Sequence, residues 1–160
     1  MIDKKKYMKP GDYHWVVSAT QHTGTMFSAE GKKLFTIPAL CEGQHDNWKA
    51  PRGDTPPGFY KFGTVYTQDE SNLADLYAYG EICLDMIDLE NQETGNGRAG
   101  ISTHGGGTAL ENPLEAYQRL IPTHGCIRVH NHHLKRTLAP LVVKARKEGR
   151  TVFVSVVDRV

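Results

Sequence analysis

From residue 10 to residue 100 the chain is cut by Gly, Pro, Asp and Asn turns into pieces too short for ordinary helices. Within those pieces apolar and β-branched residues alternate or run together, the pattern of strands. Strands are expected at 13–19, 25–28, 34–40, 59–66, 82–87 and 99–103. A Val-rich closing strand is expected at 151–157. The run Asp54-Thr55-Pro56-Pro57-Gly58 is strong turn chemistry before the fourth strand. The stretch 68–75 is polar and without a clear period, and 91–100 reads as a polar, Gly-rich connection. Only the last third has helical spacing. Leu134, Leu138, Leu141, Val142 and Ala145 fall on one face of a main helix near 131–148. Asn131 is placed to cap it, Gly149 to stop it, and Pro140 to kink it or break it in two. A shorter helix is expected at 113–120, with Pro113 in its first turn. The expectation is a mostly-β fold, sandwich or barrel-like, with one or two helices.

At 160 residues the chain has room for one domain, taken as 1–160. Apolar residues make up 39%, enough for a core and too many for a disordered chain. Nineteen basic residues against eighteen acidic ones leave a net charge of +1. That balance supplies no electrostatic footprint for nucleic acid or an anionic membrane. The start has charge but no apolar core of a leader, and no apolar run suits a bilayer. The expectation is a soluble chain without membrane insertion.

Three cysteines exclude a complete disulfide framework and leave at least one thiol free within a single chain. Cys126 stands out. His124 precedes it by two positions, Arg128 follows by two, and His104 lies upstream at the end of an expected strand. A cysteine is a nucleophile only as a thiolate, and nearby bases or cations help form it. Gly125 removes a side chain beside the sulfur, so backbone and substrate can approach. The competing reading is a buried structural cysteine among ordinary polar neighbours. On spacing alone the two stand level.

The wider segment resembles the signature of the L,D-transpeptidase catalytic domain, the YkuD-like family. His104-Gly105 is similar to its first part. Thr123-His124-Gly125-Cys126-Ile127-Arg128 with Asn131 is similar to its second. The resemblance extends to Pro38-Ala39-Leu40-Cys41-Glu42-Gly43, to the 54–60 turn and strand, and to the closing strand. Three features depart from the family pattern. The spacer after His104 is longer and carries Gly105-Gly106-Gly107, and His133 stands where an Asp often follows the Asn.

The resemblance implies cleavage of the amide after the third residue of a peptidoglycan stem peptide, with acyl transfer to an amine. It implies Cys126 as nucleophile, a thioester intermediate, and susceptibility to carbapenems. His104 is favoured over His124 as the base, with a backbone carbonyl near His104 or Gly105 orienting its ring. The N–H groups of Gly125 and Cys126 are the expected oxyanion donors, with His124 and Gly105 shaping the site. Arg128, Asn131 and Thr123 are assigned to substrate binding, Arg128 alternatively to locking the loop through backbone carbonyls. No cofactor is expected. The implied partner is peptidoglycan, and the implied location is the cell envelope or periplasm, with a cytoplasmic or phage-delivered chain as the alternative.

The same Cys–His site used as an L,D-carboxypeptidase or endopeptidase is the leading alternative. A zinc hydrolase and an inactive wall-binding module are the others. His130, His132 and His133 cluster near the helix start but match no zinc pattern, so no metal is assigned. Cys41 and Cys83 read as packing residues, with a disulfide between them as the alternative. The triple glycine lacks the ending of a phosphate loop and is expected to be a flexible active-site loop.

Overall fold

A computed structural model describes residues 6–90 and 100–158. The strands are β1 (Tyr13–Ser18), β2 (Thr23–Phe27), β3 (Lys33–Leu40), β4 (Gly58–Thr67), β5 (Ile82–Asp88), β6 (Ser102–His104), β7 (Ile127–Val129) and β8 (Val152–Val157). They close into a barrel in the order β1-β2-β3-β7-β6-β5-β4-β8, with β8 returning to β1. The β1–β8 and β6–β7 pairs are parallel and the others antiparallel. Closure leaves no long unpaired edge.

Alternation sets the interior. Trp15 and Val17 on β1, Met26 on β2 and Leu84 on β5 are fully buried. Gly24 makes room for Trp15, because a Cβ there would come within 2.5 Å of the indole. The Val run of β8 is covered on both faces. Val152, Val154 and Val156 join the main core, while Phe153 stacks on Phe59 with ring centroids 5.3 Å apart. Leu134, Leu138, Val142 and Ala145 add the helical face expected from their spacing.

The C-terminal helix, α2, runs through Asn131–His133, a π-turn at Leu134–Leu138, and Ala139–Lys147. In the π-turn the Ala139 N–H reaches the Leu134 carbonyl, one residue further back than in an α-helix. Pro140 has no N–H to continue the ordinary ladder, so the wider turn takes up the expected break. Gly149, at φ +71°, follows the helix end, and the Arg150 N–H bonds the Ala145 carbonyl.

Four expectations are corrected. Residues 113–120 form no helix, with turns and a bend over 113–117. The Pro113 and Glu115 carbonyls accept from the Asn131 amide, and the Ala116 carbonyl accepts from the His132 N–H, so acceptors that a helix needs are taken. Asn131 is not the cap of α2, which is His130; its side chain points to the neighbouring loop. A short helix, α1 (Leu73–Tyr79), follows the polar stretch, capped by Asn72 accepting from the Asp75 N–H. It buries only Leu76, so it leaves no apolar stripe to read. Finally, β7 is an addition to the expected strands: it is three residues long and begins immediately after Cys126. Most of the 91–100 connection lies outside the described residues.

No helix among the described residues is long and apolar enough to cross a membrane.

Candidate active site

The parallel β6–β7 pair builds the site. Thr103 pairs with Ile127 and His104 with Arg128, so Ser102 and Cys126 lie side by side one step earlier. The Ser102 hydroxyl is 3.4 Å from the Cys126 sulfur. Cys126 donates its thiol proton toward the Gly100 carbonyl at 3.6 Å. Cys126, His104, His124 and Arg128 all line one cavity of about 650 Å³. The structure therefore brings Cys126 against residues 24 and 26 positions away in the chain.

His104 is 2% exposed. Its Nδ1 lies 2.8 Å from the Gly105 carbonyl, which can only accept. Nδ1 therefore carries the proton and Nε2 carries the lone pair. Burial, opposed by that hydrogen bond and aided by the Arg128 charge, lowers the imidazole to about 4. The ring is neutral at pH 7, and Tyr79 packs edge-on against it at 5.0 Å. His124 is exposed. No hydrogen bond joins His104 to Cys126 among the described residues; such bonds commonly tighten only with substrate. Burial pushes the Cys126 thiol up, opposed by hydrogen bonds from Ser102 and by the Arg128 charge. The resting pair is thiol and imidazole rather than an ion pair.

The glycine loop after His104 is fastened, contrary to expectation. Gly105 N–H bonds the Tyr79 carbonyl at 2.9 Å, Gly106 N–H the Asn131 Oδ1 at 2.9 Å, and Gly107 N–H the Tyr77 carbonyl at 2.7 Å. Gly106 sits at φ +67°, and a Cβ there would come within 2.6 Å of the Gly80 nitrogen and 2.7 Å of the Tyr77 oxygen. Both obstacles are backbone. Gly106→Ala should therefore lower stability by about 3 kcal/mol, from left-handed strain plus overlap. Urea unfolding followed by circular dichroism measures this, and an unchanged midpoint would show that the loop yields.

The residues assigned to substrate binding spend their polar atoms on the protein. Arg128, 5% exposed, donates from Nε to the Ile121 carbonyl at 2.8 Å and from Nη1 to the Gly105 carbonyl at 3.0 Å. Nη1 also reaches the Ala78 carbonyl at 3.4 Å. It ties three segments together at the carbonyl that faces His104 Nδ1. Asn131 accepts from Gly106 and donates to Pro113 and Glu115. The Thr123 hydroxyl accepts from the Gly125 N–H at 2.9 Å and donates to the Cys126 carbonyl at 2.8 Å. The Gly125 N–H is thus occupied and is corrected as an oxyanion donor. The Cys126 N–H has no protein acceptor among the described residues.

Several site residues had no signal in the sequence. Thr55, in the Pro-Pro turn, donates to the Cys126 carbonyl at 3.3 Å, and Gln44 donates to the Thr123 carbonyl at 2.9 Å. Gln118, 1% exposed, donates to the Gly106 and Val129 carbonyls and accepts from the Asn131 N–H. Cys83 and Tyr66 line the cavity beside Ser102. None of the three cysteines is in a disulfide. His130, His132 and His133 pack around the Tyr117 ring, with centroids 4.9 to 5.7 Å from it. Among the described residues no group of three or more His, Cys, Asp or Glu is placed to hold a metal ion.

No curated protein matches the sequence. Solved structures do. The chain is similar to the helical cell shape determining protein Pgp2 from Campylobacter jejuni at 22% identity and a TM-score of 0.64. That match covers 96% of this chain and 50% of the other. It is similar to Bd1075 from Bdellovibrio bacteriovorus at 19% identity and a TM-score of 0.63, covering 93% and 48%. At these identities the likeness is one of fold, and the chain spans about half the length of either protein. The sequence profile of the L,D-transpeptidase catalytic domain, YkuD, matches residues 12–154. That span holds the barrel from β1 to the middle of β8 and both halves of the cavity wall, so the chain belongs to the L,D-transpeptidase catalytic domain family, YkuD.

Proposed function

We propose that this chain is a cysteine-dependent L,D-transpeptidase acting on peptidoglycan stem peptides. The observation that carries the reading is a thiol and a neutral imidazole on one cavity wall. The tautomer of that imidazole is fixed with Nε2 as the lone-pair atom. The Cys126 sulfur attacks the carbonyl after the third stem residue while its proton passes to His104 Nε2. The tetrahedral oxyanion is stabilised by the Cys126 N–H. Collapse breaks the C–N bond, and the leaving amine takes the proton from Nε2. The thioester then reacts with an incoming amine, whose proton goes to Nε2; the C–S bond breaks, and the departing Cys126 sulfur takes that proton back.

Arg128, Asn131 and Thr123 act as positioning residues in this scheme, because each holds backbone that carries a reacting group. Carbapenems acylate the same sulfur. The substrate places the working protein in the cell envelope.

The test is incubation of the purified protein with a disaccharide-tetrapeptide. Cross-linked dimers are the expected product. Tripeptide alone would show that water opens the thioester and that the chain is a carboxypeptidase. Activity lost to a chelator and retained after iodoacetamide would replace the thiol mechanism with a zinc one.

A further inference from the structure

The wall of the cavity behind Cys126 is a row of proton donors drawn from three strands. Tyr66 on β4 is paired in register with Cys83 on β5, and both line the cavity. Cys83 Sγ donates to the Ser102 hydroxyl on β6 at 3.4 Å. Ser102 Oγ is also 3.4 Å from Cys126 Sγ. A hydroxyl has one proton and accepts with its lone pairs. With Cys83 donating to it, the Ser102 oxygen keeps its own proton free to donate, and the Cys126 sulfur lies within reach of it.

We propose that Ser102 is a positioning residue for the Cys126 thiolate, turned into its donor orientation by Cys83 with Tyr66 behind. The role rests on Cys126 being the nucleophile, and it goes beyond the Cys–His pair of the reading above. It answers a difficulty of the site. Burial pushes the thiol up, and the His104 imidazole on the same cavity wall is neutral, so it brings no charge to the sulfur. The charged groups and donors facing the sulfur are few. Those lining the cavity are Tyr66 from β4, Cys83 from β5, Ser102 and His104 from β6, Arg128 from β7, Asp75 and Tyr79 from α1, and His124 from the loop before Cys126, with Asp85 of β5 acting on Tyr66 and Cys83. Arg128 is already shared among three carbonyls. Ser102 is the one whose hydroxyl lies against the sulfur itself. Donation to a thiolate is a charge-assisted bond, stronger than the same bond to a thiol, so it favours ionisation.

The test is the pH dependence of alkylation of Cys126 by iodoacetamide, read peptide by peptide by mass spectrometry so that Cys41 and Cys83 are scored separately. It needs no peptidoglycan, so it stays informative even if the transpeptidase assay fails. Ser102→Ala should slow alkylation at pH 7 by about tenfold, with the ratio to the parent falling to about one at a pH where the thiol is fully ionised. Ser102→Thr should restore most of the rate. Cys83→Ala should shift the profile the same way by a smaller factor, and it serves in place of Ser102→Ala if that variant does not fold. A ratio that is constant across pH, or equal rates throughout, would overturn the proposal, because a packing role does not track ionisation.

Discussion

Cys126→Ala is expected to abolish covalent acylation while leaving the barrel folded. The parent should gain one adduct mass with a carbapenem and the variant none. Turnover of the disaccharide-tetrapeptide should fall by about 10⁴-fold or more, the scale on which loss of a nucleophile acts. The fold should survive because Cys126 is anchored by its backbone. Its carbonyl accepts from the hydroxyls of Thr123 and Thr55, and neither bond involves the sulfur. Matching circular dichroism spectra would establish that. Cys126→Ser sharpens the result. It keeps a hydroxyl in place but needs a stronger base than a neutral imidazole near pH 4 can provide. It should be nearly as inactive as the alanine variant. An adduct of full yield on Cys126→Ala would move the nucleophile elsewhere, and the nearest candidate is Cys83.

His104→Gln should lower acylation by about 10²- to 10⁴-fold, the usual worth of a general base. Two readouts separate a base from a packing residue. The parent should keep acylating at pH 5, where an ordinary imidazole is mostly protonated, and should lose rate only on approach to about pH 4. The variant should show no such limb.

Stability supplies the second readout. Above pH 6.5 the imidazole is neutral in both folded and unfolded chains. Below it the unfolded chain takes up the proton first, so stability falls as the pH drops from about 6.5 to about 4. That shift corresponds to about 3 kcal/mol lost across the window. His130 and His133, lowered by burial and by neighbouring histidines, act in the same direction. The difference between parent and His104→Gln isolates the share of His104. Equal acid sensitivity in the two proteins would count against a buried neutral base.

How much of this is legible in the sequence depends on how local each signal is. Seven of the eight strands follow from the pattern, because alternation and turn residues act within a few positions. The eighth, β7, is hidden in the motif itself, since three residues are too few to show a period. The helix expected at 113–120 fails for a non-local reason. Asn131 and the His132 N–H, distant in sequence, take its carbonyls. The triple glycine reads as loose because glycine permits many conformations. The structure uses that freedom for one shape, closely packed and tied by backbone hydrogen bonds, that a residue with a Cβ could not adopt.

The site divides in the same way. Cys126, His104 and the surrounding Gly and Arg can be named from the chain, because each residue type announces its chemistry and the spacing resembles one family. The sequence by itself therefore determined the family, the mostly-β architecture and the candidate thiol–imidazole pair. Only the tertiary structure decided which way each polar atom faces. Barrel closure sets β6 beside β7 in parallel, and that register puts Ser102 against the Cys126 sulfur, with Cys83 behind Ser102. It also commits Arg128, Asn131 and Thr123 to backbone partners. Hydrogen-bond partners are chosen by strand register and loop path, and those depend on contacts across the whole barrel rather than on any one segment.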